Sequence, residues 1–183
     1  MIDLSSVAIE TVKETPKSDT VSELPTTDFE NTQDTESAEA DTESTYIICR
    51  NESLKGDVHP ISGIPFNEKT VILPDGQEII GVFPEFEAQF EAKLDESQYN
   101  ESDAKQFKEA NKQLEAAIES DDGLKSEFTD EQLEQIKAGD TPEGYVWHHS
   151  EEAGTLQLVD TTVHAQTGHT GGRSIWGGGS KNR

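Results

Sequence analysis

Four of the five histidines in this 183-residue chain fall at positions 148, 149, 164 and 169. Two of them are adjacent, and adjacent residues of a strand point to opposite faces of its sheet. His148 and His149 therefore cannot fill equivalent positions around one ligand. A fold that uses the whole group must end a strand at the pair and return a later element across it. Neutral imidazole is a common metal ligand and titrates near working pH. One of the pair thus suits a cation, and its neighbour suits taking a proton from water. A purely structural zinc site is the lesser reading, because such sites usually include cysteine and the chain holds only Cys49. That single cysteine also rules out an internal disulfide, so a bound metal must rely on histidine, carboxylate or water.

The residues around the cluster supply the order this requires. Tyr145-Val146-Trp147-His148-His149 is rich in aromatic and β-branched types and reads as a strand. Residues 150–154 read as a loop, and Thr155 to Val159 as a second strand with Leu156 and Leu158 on one face. Asp160 suits the N-cap of a helix running from Thr161 to Ala165 or Gly168. His164 falls in that helix, and His169 lies just past Gly168, where glycine can redirect the chain.

Upstream, residues 46–83 read as a connector and a β-hairpin. Gly56, Pro60, Gly63 and Pro65 punctuate residues 50–69 too often for a regular element. Thr70 to Leu73 and Glu78 to Phe83 are β-rich runs around a Pro74-Asp75-Gly76 turn. Residues 84–140 read as a helical scaffold. Ser102 is the expected N-cap of a helix reaching Ser120, with Phe107, Leu114 and Ile118 near one face. Thr129 and Gln132 form a capping box for a second helix over Asp130 to Ala138, which Gly139 ends. Glu85 to Leu94 is read as a further helix, or as a loop anchored by Phe86 and Phe90. His59 is expected to be exposed and unrelated to the cluster, and Trp147 and Trp176 to pack in the core.

Residues 1–45 contain 12 acidic and two basic residues and a single aromatic side chain, too little apolar surface to offset chain entropy. They are expected to form a disordered acidic tail, with order starting near Tyr46. The net charge of -24 argues at first against nucleic acid, which is usually met by clustered Lys and Arg. Its distribution softens this. The tail carries -10 and residues 46–140 carry -13, while residues 141–183, which hold the histidines, carry only -1. Arg173, in a glycine-rich stretch, is the natural residue there to grip a phosphate oxygen, against the plain alternative of a surface arginine. No charged start followed by an apolar run and no apolar segment of bilayer length is present in the sequence, which predicts a soluble chain without a signal peptide and without membrane contact.

The segment from Gly144 to Gly179 resembles the HNH/endonuclease VII superfamily, in the branch marked by Trp-His-His. The resemblance is carried by Gly144-Tyr145-Val146-Trp147-His148-His149, Leu156-Gln157-Leu158-Val159, His164, His169-Thr170-Gly171-Gly172 and Trp176-Gly177-Gly178-Gly179. It implies an α+β fold in which a helical lead-in with a β-hairpin precedes a ββα-metal motif over residues 141–183, with residues 84–183 forming one domain. It also implies a DNA endonuclease that uses one divalent metal ion. By position, His148 and His164 correspond to metal ligands, His149 to the general base, and His169 to a third ligand or a phosphate contact. The same resemblance implies a bacterial toxin, a monomer by default, acting in its producer's cytoplasm or delivered into a target cell and restrained by an immunity protein.

Two departures from the family pattern stand out. Many HNH sequences place an Asn in the second strand to tie the finger loop, whereas this chain offers Thr155 or Gln157. Four residues, not three, separate His164 from His169, which takes them off one helical face. Two other functions compete: a non-catalytic acidic protein that mimics DNA and occupies a basic partner, and a metal-dependent hydrolase acting on RNA.

Overall fold

Two sheets organise the computed structural model, which describes residues 9–10 and 44–182. The first comprises β1 (Ile9–Glu10), β2 (Thr45–Ile47), β3 (Asp57–Val58), β4 (Pro65–Ile72) and β5 (Glu78–Pro84), in the order β1-β2-β5-β4-β3. Its centre is the hairpin of β4 and β5, registered Thr70 to Ile80 and Val71 to Ile79. Gly76 makes the turn possible with φ 85, a value costly for any residue bearing a Cβ. Cys49, Val71, Ile79 and Phe83 form the core of this sheet. The acidic tail expected over residues 1–45 falls, apart from residues 9–10 and 44–45, outside the described residues.

The irregular connector expected over residues 50–69 is shorter than its glycines and prolines suggest. Residues Glu52–Leu54 form a 3-10 turn, and β4 already starts at Pro65. Proline is tolerated as the first residue of a strand, and Phe66 beside it is fully buried, which outweighs the local turn signals.

The second sheet contains β6 (Phe90–Lys93), β7 (Tyr145–His149) and β8 (Thr155–Asp160), in the order β6-β8-β7, all antiparallel. The helix considered over Glu85 to Leu94 is instead this β6 strand. Phe90 pairs with Leu158 and Ala92 with Leu156, so the alternate residues of β6 extend the apolar face of β8. A strand that completes a sheet gains those pairs, and propensity in so short a segment does not oppose it.

The helices are α1 (Asp103–Ser120), α2 (Asp122–Lys125), α3 (Asp130–Lys137), α4 (Thr161–Gln166) and α5 (Gly172–Ile175). Gln106, Ala110, Leu114 and Ile118 recur every fourth residue of α1 and are all buried. They belong to one side of the second sheet, where Ala110, Leu114 and Ile118 join Ile136, Trp147, Leu156, Leu158 and Trp176 in a single core. Full burial of a leucine such as Leu114 or Leu156 contributes roughly 2 kcal/mol. Thr129 and Gln132 make the reciprocal capping box on α3, and Gly139 follows with φ 81. Ser102 holds the N-cap position of α1 with no side-chain capping bond. The fold is thus mixed α+β, and the core beneath β7 and β8 fixes both strands from one side. No helix among the described residues is long and apolar enough to cross a membrane.

Candidate functional site

The register of β7 on β8 separates the two adjacent histidines. His149 lies opposite Leu156, and His148 opposite Gln157. Residues paired directly across two strands share a face, so His149 points with Leu156 toward α1, while His148 points to the other side. There it meets the product of the next turn of chain. Asp160 accepts a 2.8 Å hydrogen bond from the Val163 amide and starts α4, which carries His164. α4 ends at Gln166, and Thr167 is extended, so His169 comes from the following loop. The four-residue gap between His164 and His169 is accommodated by that loop, because the second residue is not required to share a helical face with the first.

His148, His164 and His169 converge. One ring nitrogen from each lies within 4.8 Å of the other two, close enough for one ion to draw on all three. Phe86 packs against every ring of the group, with centroids at 4.8 Å from His148, 5.5 Å from His164 and 5.3 Å from His169. Burial pushes the pKa of His148 well below 6.5 and that of His164 down to about 4, with neighbouring imidazoles adding to both shifts. Burial also lowers His169, an effect partly opposed by its hydrogen bond to Thr167. The triad is therefore neutral at physiological pH, with lone pairs ready for a metal. His169 Nδ1 donates to the Thr167 carbonyl at 2.7 Å, which puts its proton there and leaves Nε2 as the coordinating atom. The donor set fits a divalent ion that accepts imidazole nitrogen.

His149 sits behind this group on the α1 side, buried against Phe107 and Trp176. Its Nε2 lies 2.8 Å from Gln106 Oε1 and 3.9 Å from Asp103 Oδ1. Arg173 is also buried, 5% exposed, which removes the surface-arginine reading. Its guanidinium donates to the Glu101 carbonyl at 2.9 Å and to Gln106 Oε1 at 3.0 Å, and its Nε faces Asp103 Oδ1 at 3.0 Å.

A second set of residues holds the loop that carries His169. The Arg50 amide donates to Thr170 Oγ1 at 2.8 Å, and Asn51 Nδ2 donates to the Gly168 carbonyl at 2.6 Å. Thr167 Oγ1 donates to Ser62 Oγ at 2.6 Å. His59, expected to be exposed, is buried at 8% because its ring lies by Phe66 and its Nδ1 meets the Ser62 hydroxyl at 3.1 Å. These residues lie in the segment read as plain connector, and nothing in its local pattern signals a distant loop as partner. Gln106 did leave a signal: it is a polar residue on the buried stripe of α1, and buried polar groups are there to be hydrogen-bonded.

The side chains of Thr155 and Gln157, the two second-strand candidates for tying the finger loop, turn to β6 instead. Gln157 Nε2 donates to Glu91 and Thr155 Oγ1 accepts from Lys93, so both tie β8 to β6. The loop over residues 150–154 is held from elsewhere. Trp176 Nε1 donates to the Ser150 carbonyl at 2.8 Å, and buried Glu151 pairs with Lys69 at 2.7 Å. Trp147 and Trp176 are both buried in the core.

Over residues 75–171, slightly more than half of the chain, the sequence matches the family profile of the DNase/tRNase domain of colicin-like bacteriocins. No curated protein and no solved structure matches it. The matched stretch contains all four clustered histidines and ends before Arg173 and Trp176.

Proposed function

The chain belongs to the family of DNase/tRNase domains of colicin-like bacteriocins, a nuclease toxin domain, and on that premise we propose that it is a divalent-metal-dependent DNA endonuclease of the HNH type, in the Trp-His-His branch. One observation supports this most: three neutral imidazoles converge on one side of a strand whose next residue, His149, is a histidine facing the other side. In this reading β7, β8 and α4 form the ββα-metal motif. His148, His164 and His169 hold the ion. A divalent ion bound there supplies Lewis-acid stabilisation of charge on phosphodiester oxygens.

His149 takes the proton of the attacking water. The new bond forms between water oxygen and phosphorus, the bond from phosphorus to the 3′ oxygen breaks, and solvent protonates the leaving oxygen. No covalent intermediate with the protein is needed. Glu151 and Trp176 keep the loop after His149 in place, and Phe86 backs the triad. An immunity protein that covers the site in the producing cell, and delivery into a rival cell, complete the reading as a toxin.

Nicking of supercoiled plasmid by the purified chain tests the proposal, with and without chelator and after Mg, Mn, Ni or Zn is restored. Metal-restored nicking is expected. Cleavage of tRNA but not duplex DNA would move the substrate to RNA. Tight binding of a basic protein without any cleavage would favour the acidic-mimic alternative, for which the net charge of -24 is the supporting feature.

A further inference from the structure

We infer that Gln106, with Arg173 and Asp103 behind it, is a positioning device that sets the tautomer of His149, with the proton on Nε2; this rests on the reading of His149 as the base. The amide of Gln106 is fully buried. Its Nε2 donates to the carbonyls of Gln98 at 2.8 Å and Tyr99 at 2.9 Å. Those two acceptors decide which end of the amide is nitrogen, because a carbonyl oxygen could not face them. Oε1 therefore points the other way, at His149 Nε2 and at a guanidinium N–H of Arg173. An amide oxygen accepts only, so the proton of neutral His149 lies on Nε2.

Arg173 and Asp103 make this arrangement stiff. Arg173 donates to the same Gln106 oxygen and to the Glu101 carbonyl, and its Nε lies 3.0 Å from Asp103. A guanidinium is always charged and acts as donor only, so Gln106 cannot turn its amide over without placing NH2 against it. The element spacing matters as well. Asp103 and Gln106 are three residues apart at the start of α1 and face the same way, while Arg173 comes from α5. The base on β7 is thereby oriented by a helix more than 40 residues upstream and by an arginine past the end of the family match. Arg173 acts on His149 here through Gln106.

The experiment compares four proteins in the full chain: wild type, His149→Ala, Gln106→Leu and Gln106→Glu. Nicking rates are measured with metal at saturation, along with Mn affinity and the 15N shifts of the His149 ring. Wild-type His149 is expected to carry its proton on Nε2. Gln106→Leu should lose about 10- to 100-fold in kcat, the usual cost of removing a partner that orients a catalytic or ligating histidine, with KM and Mn affinity unchanged. Gln106→Glu keeps an acceptor for His149 and Arg173 but cannot donate to Gln98 and Tyr99. If Gln106 orients the base, this variant recovers most of kcat; if it serves only to hold the fold, both variants fail alike, which overturns the inference even where Gln106→Leu does not fold. A proton on Nδ1 in the wild type overturns it too, as does full kcat in Gln106→Leu alongside an inactive His149→Ala. Full activity in His149→Ala instead rejects the base assignment and the inference with it.

Discussion

Asn51 and Gly168 lie 117 positions apart, and the side-chain amide of the first donates a 2.6 Å hydrogen bond to the carbonyl of the second. Asn51 adopts a left-handed backbone, φ 67, just before the 3-10 turn at Glu52–Leu54. The contact ties the first sheet to the loop that presents His169. Residues outside the family match thus help shape the site within it.

Replacing Asn51 by Gly keeps the left-handed backbone available and removes only the bond. It should cost about 1 kcal/mol of stability and weaken metal binding through a looser His169. Asn51→Ala adds backbone strain and should cost more. Thermal unfolding and Mn titration check both, and equal metal affinity in all three proteins would show that the loop holds itself.

The triad predicts an acid limit to stability. In the unfolded chain each imidazole titrates near about 6.5, whereas in the fold burial keeps His164 at about 4 and lowers His148 and His169. Between those values the unfolded state binds protons that the native state refuses. This contribution is complete above about pH 6.5 and declines as pH falls toward about 4. Carboxylates as a class titrate near the lower end of that window and the chain holds 38 acidic residues, so the comparison is with His164→Gln, whose Tm should fall less steeply over that window in chelator. Parallel curves would count against a neutral His164.

Metal should stabilise the native chain, since binding to the folded form alone raises stability by RT ln(1 + [L]/Kd). His148→Ala removes the most deeply buried imidazole of the group. Its Tm should no longer rise with added Zn or Mn, while the wild type gains several degrees and loses them again in chelator. A rise of the same size in both proteins would place the metal elsewhere.

Gly172 is confined by its surroundings. A methyl group there would sit 1.7 Å from the Ser150 carbonyl oxygen and 2.4 Å from Trp176 Nε1, the two partners of the bond that holds the loop after His149. Gly172→Ala should therefore cost about 3 kcal/mol or more. Denaturant unfolding would measure it, and a cost below about 1 kcal/mol would mean that α5 shifts freely.

Trp147→Phe separates core from site. The indole N–H donates to Asn111 Oδ1 at 2.7 Å in a buried setting, and its loss should cost about 1 to 2 kcal/mol. Metal affinity should stay unchanged, because Trp147 faces the α1 core and not the triad.

How far each feature could be read ahead depended on the range over which it is encoded. The runs Tyr145–His149 and Thr155–Asp160 carry their β pattern in consecutive residues, and Asp160 caps α4 within three residues. α1 and α3 likewise declare themselves by period and cap. β6 did not, since Phe90 and Ala92 make sense only against Leu158 and Leu156. His59 could not be placed for the same reason: its burial depends on Phe66 and Ser62 after the chain has turned.

The sequence alone determined that His148 and His149 must face apart, because a strand alternates its side chains, and that a short capped helix follows with His164. Only the tertiary structure decided that His169 reaches the same point from a loop, that Phe86 backs all three rings, and that Gln106 and Arg173 stand behind His149. Alternation and capping act between neighbours in the chain. The rest is contact between distant segments, set by which apolar surfaces are buried together.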